Sequence, residues 1–151
     1  MIEAAEQNAE IATPSFADTT GKEYFPRLDY QVLDTIRAQA GLDLANAERI
    51  GSVWTDLVRS DAKALQVVWL ALGEDDAPSA EWLSAMDGPA LESAVTALAN
   101  AVYLFSRPSR RQLFVDGIEA VNKAYREAVE QAGVQIQAAV SSTTARVKGA
   151  R

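Results

Sequence analysis

The sequence predicts a mainly α fold: a single-domain helical bundle of five to six helices with a small N-terminal β-hairpin and a long C-terminal helix. Three observations predict it. From Asp29 onward, apolar residues recur at helical spacing through most of the chain. The runs are bounded by capping residues, glycines or prolines. No proline follows Pro108, so nothing breaks the apolar pattern of the last third. The chain has 151 residues, 48% hydrophobic and 23% charged, which fits one globular domain. A chain of this length buries about 68–70% of its unfolded surface and needs neither metal nor disulfide to fold.

Residues 1–14 form an N-terminal arm. They are rich in Ala, Glu and Gln and carry no capping signal, so a mobile or partner-ordered segment is expected. Residues 15–28 are different. Phe16-Ala17 and Tyr24-Phe25 flank Asp18-Thr19-Thr20-Gly21-Lys22, which predicts a β-hairpin ending near Pro26. Asp29 then caps a helix carrying Tyr30, Leu33 and Ile36, and Gly41 stops it. Leu42 and Leu44 anchor the connection to a second helix over 45–58, with Ile50, Val53, Trp54 and Leu57 on one face. Ser60 or Asp61 caps a third helix over 62–72. Its run from Leu65 to Leu72 is apolar nearly all round, which predicts the central buried helix. Ser79 caps a short helix bearing Trp82, Leu83 and Met86, and Asp87-Gly88-Pro89 starts the next, over 90–105. Ser106-Arg107-Pro108 breaks that helix.

The last helix is expected over 109–141. Phe114, Ile118, Val121, Tyr125, Ala128, Ala132, Ile136 and Ala139 share one of its faces. At 1.5 Å per residue it is roughly 50 Å long, more than a domain of this size covers with its own core. The stripe changes character near Tyr125, with bulky side chains before and mostly small ones after. Three outcomes are open: the helix folds back in cis, self-associates, or docks a partner through 128–141. Residues 142–151 read as a basic tail.

Charge is divided along the chain. The net charge is −7, which argues against nucleic-acid binding by the chain as a whole. Acidic residues dominate up to Asn100, and basic residues dominate after it. The basic segment either lies against an acidic surface, in cis or in a neighbouring copy, or reaches for phosphate. Arg107, Arg110 and Arg111 cluster at a helix start, where the macrodipole disfavours cations. They either pair with the acidic loop or preceding helices, or recognise an acidic partner. The three tryptophans pack in the core, or one is an exposed contact, with Trp82 on its short helix the best placed.

Catalytic signals are few. There is no histidine and no cysteine, which removes the commonest acid–base group, transition-metal ligand and thiolate nucleophile. Glu74, Asp75 and Asp76, with Glu81 and Asp87 nearby, lack the alternating spacing of a calcium loop and read as a solvated acidic loop. No catalytic residue, cofactor or metal is therefore expected. Neither a membrane span nor a secretory signal is expected, and the expected location is cytoplasmic.

The order of motifs resembles the tail assembly chaperones of tailed bacteriophages and prophages. Phe16, Asp18 and Gly21 match the family's hairpin, and Gly41, Asp43 and Leu44 its first helix end. Leu65 to Leu72 match its buried helix, and Asp87, Gly88, Leu91, Ala94, Ala97 and Leu98 its turn and Leu/Ala helix. Phe105, Arg110 and Arg111 match its aromatic end and basic restart, so the likeness spans roughly 15–125. The second hairpin strand lacks the tryptophan of the pattern, and the basic tail from Ala145 falls outside it. The resemblance implies a non-enzymatic protein that binds apolar helices of the tape measure protein, or other tail proteins, in the host cytoplasm. The alternative is a structural virion subunit, at a head–tail connector or in the tail, held by interchain contacts of its termini. Either way the expected partners are proteins, with a homo-oligomer expected. The expected contact residues are Trp82, Arg107, Arg110, Arg111, Ala128, Ala132, Ile136 and Ala139.

Overall fold

One carboxylate organises the first local structure. Asp18 Oδ1 accepts hydrogen bonds from the Thr20 amide at 2.8 Å, the Thr20 hydroxyl at 2.6 Å and the Lys22 amide at 3.1 Å. Its Oδ2 accepts from the Tyr24 hydroxyl at 3.0 Å. Gly21 closes the turn with a positive φ of 87°, which only glycine adopts without cost. The result is the expected hairpin, β1 (Phe16–Ala17) paired antiparallel with β2 (Glu23–Tyr24), Phe16 opposite Tyr24 and Ala17 opposite Glu23. The two rings stack at 5.3 Å. These are features of a computed structural model that describes residues 13–149, with side chains described through residue 141. The expected arm over 1–14 lies almost wholly outside the described residues.

The hydrogen bond from the Thr20 hydroxyl does most to hold the Asp18 carboxyl below its ordinary value; desolvation opposes it, and Tyr24 and two backbone amides add to it. A carboxylate lowered on folding stabilises the fold above its unfolded value near 3.8, and that contribution is lost as pH falls through the lower folded value. Asp18→Asn is therefore expected to lower the unfolding temperature at pH 7. The gap to the unaltered chain should narrow when both are melted at pH 3. An equal gap at both pH values would mean that the ionised form is not what holds the hairpin.

Six α-helices follow among the described residues: α1 (Tyr30–Ala40), α2 (Ile50–Arg59), α3 (Asp61–Ala71), α4 (Ala80–Ser84), α5 (Gly88–Phe105) and α6 (Arg111–Gly149). The caps are those the sequence signals. Asp29, Ser60, Ser79 and Asp87 accept from backbone amides of Val32, Lys63, Trp82 and Ala90. Gly41 ends α1 in the left-handed conformation at φ 73°. The helix expected over 45–58 is instead a 3-10 turn at Ala47–Arg49 leading into α2. The Asn46 side chain accepts from the Glu48 amide and starts the tighter turn.

As expected, α3 is central. It packs against α1, α2 and α5, and Val67, Val68, Leu70 and Ala71 are fully enclosed. The hairpin is tied to this frame by backbone bonds, Arg27 donating to Ala71 at 2.7 Å and Thr19 to Ala85 at 2.9 Å. Leu42 and Leu44 are buried and fix the α1–α2 connection. The root of α6 closes the bundle by packing against α2, α5 and the 3-10 turn. Helices α6 and α2 meet closely at Gly117, where a Cβ would overlap Ile50 Cγ2 and come within 3.5 Å of the Gly51 amide nitrogen. About a turn and a half further along α6, Trp54 Nε1 donates to Asn122 Oδ1 at 3.3 Å.

Candidate functional site

The most distinctive surface is the far half of α6. Phe114 and Ile118 are buried, and Val121 is half-buried against the core. Beyond Val121 every side chain from Asn122 to Ser141 is exposed, although Asn122 still accepts from Trp54 of the core. The change therefore falls one turn before the expected point: Tyr125 is 47% exposed and does not belong to the core. The helical backbone also runs to Gly149, beyond the expected end at 141. The segment expected as a separate tail is thus largely helical in its backbone, since no proline or earlier breaker stops it.

The apolar stripe does not end where the domain ends. Phe114, Tyr125 and Ile136 recur at intervals of 11 residues, as do Ile118, Val129 and Val140. Eleven residues make about three helical turns, so both series stay on the face that is buried at the root. Asp116, Glu119, Lys123, Arg126, Glu127 and Glu130 fall on the opposite face. From Gln131 to Ala145 there is no charged residue. Tyr125, Val129 and Ile136 are 47%, 51% and 63% exposed. Burying a side chain such as Val or Ile is worth about 1.5–3 kcal/mol, several times an exposed ion pair at about 0.3–0.5 kcal/mol. Covering this stripe is thus the largest gain open to the helix.

The structure divides the expected contact residues. Ala128, Ala132, Ile136 and Ala139 all fall in the exposed half of α6. The arginines do not form a common surface with them. Arg111 donates to the carbonyls of Tyr103 and Leu104, both at 3.1 Å, and lies over the Tyr103 ring. It caps the negative end of α5, which explains a cation at the start of the next helix. Arg110 faces Glu48 at 3.6 Å in an exposed pair, not the acidic loop, and Arg107 is exposed. Trp82 is a correction: it is 4% exposed, and its ring lies 5.2 Å from that of Trp69, tilted by 50°. The short α4 turns its one large ring inward because the Thr19–Ala85 bonds hold it under the hairpin. No described residue partners the buried Trp82 Nε1.

An open depression of about 600 Å³ lies between the hairpin and α4, lined by Asp18, Glu74, Glu81, Trp69 and Trp82 among others. Asp75, Asp76 and Asp87 do not line it. Asp76 accepts from Trp69 Nε1 at 3.2 Å, and the Asp75 carbonyl accepts from Gln39 at 2.7 Å, so the acidic loop has ordinary structural contacts. Among the described residues no group of acidic side chains is placed to hold a metal ion. No helix among them is long and apolar enough to cross a membrane. Comparison with protein-family models, curated proteins and solved structures finds no match for this chain.

Proposed function

We propose that this chain is a non-enzymatic assembly protein similar to a phage tail assembly chaperone. It binds apolar helices of the tape measure protein and keeps them soluble while the tail tube forms. One observation carries this reading: the apolar stripe of α6 continues from the core onto an exposed helix. A half-exposed amphipathic helix anchored on a folded domain offers a client helix an apolar face to pack against. The order of hairpin, buried helix, Asp-Gly turn and basic restart supports the same reading.

Co-expression with a fragment of the tape measure protein tests it. The fragment is expected to become soluble and to be retained by the tagged chain, and Ile136→Glu is expected to release it. No complex and no gain in solubility would sink the proposal. The length of α6 beyond its domain also suits a virion subunit held by permanent interchain contacts. Mass spectrometry of purified particles separates the two, since a chaperone is scarce there and a subunit stoichiometric.

A further inference from the structure

We draw no further inference here: the strongest candidate, the exposed apolar stripe of Tyr125, Val129, Ile136 and Val140 on the far half of α6, carries nothing beyond the reading already given, because nothing in the structure shows what covers it.

Discussion

Trp54→Ala is expected to lower the unfolding free energy by about 3–5 kcal/mol, the range for truncating a buried tryptophan. Trp54 is 1% exposed and is the largest of the fully buried side chains. It lies on α2 between the central helix and the root of α6. Natural domains have only about 5–15 kcal/mol in hand, so one such change removes a large share. In urea the midpoint should fall while the slope stays constant, because the surface exposed on unfolding hardly changes. Trp54→Phe separates two contributions. It keeps one aromatic ring but loses the Nε1 bond to Asn122 and part of the indole's volume, so a smaller loss, about 1–2 kcal/mol, is expected. An equal loss in both variants would mean that the hydrogen bond, not packing, dominates at this position.

Gly117→Ala is expected to cost about 1–3 kcal/mol, although alanine is the better helix former by about 1 kcal/mol at an unconstrained position. The sign is set by contact. The new methyl overlaps Ile50 Cγ2, which sits on a branched carbon and cannot swing away, with the α2 backbone immediately behind it. The root of α6 must move off α2 or Ile50 must leave its rotamer. Combining the change with Ile50→Ala should cost clearly less than the sum of the two single changes, since the methyl then enters the space that the isoleucine vacates. Strict additivity in thermal or urea melts would show that the two helices do not meet at this point.

Gly117 also illustrates what the sequence conceals. A glycine inside a helical pattern has no local signature that separates close approach from chance, and only the position of Ile50 on another helix explains it. Local chemistry was legible. Asp29, Ser60, Ser79 and Asp87 each cap the helix expected of them, and Gly41 stops α1, because capping depends on residues three positions apart. The Asp18 hairpin was legible for the same reason. Non-local choices were not. Trp82 reads either as core or, on its short helix, as an exposed anchor, and what decides for the core is a contact with residues more than sixty positions earlier. Arg111 looks misplaced against its own helix and makes sense only at the carbonyl end of α5.

The exposed half of α6 was legible in outline, because amphipathic periodicity marks a face without requiring knowledge of its neighbours. Its boundary was misplaced by one turn. The bulk of Tyr125 suggests core, but whether the core reaches that far depends on where α2 and the 3-10 turn end. The helix end was missed because the periodic signal stops at Val140, whereas helix propagation requires only the absence of a breaker.

The anchoring of α6 at Phe114, Ile118 and Gly117 has a consequence for how association is driven. Starting a helix is the unfavourable step, because the first turn fixes several residues for a single hydrogen bond. In α6 that step is completed inside the folded domain, so each residue beyond Val121 only extends an existing helix. Under the proposed docking, a partner therefore meets a preorganised rod and not a coil that must order as it binds. The ordering entropy that limits the affinity of disordered segments is largely spent before encounter. A stripe of a few Val, Ile and Tyr side chains can then support an association that the same residues on a free peptide could not.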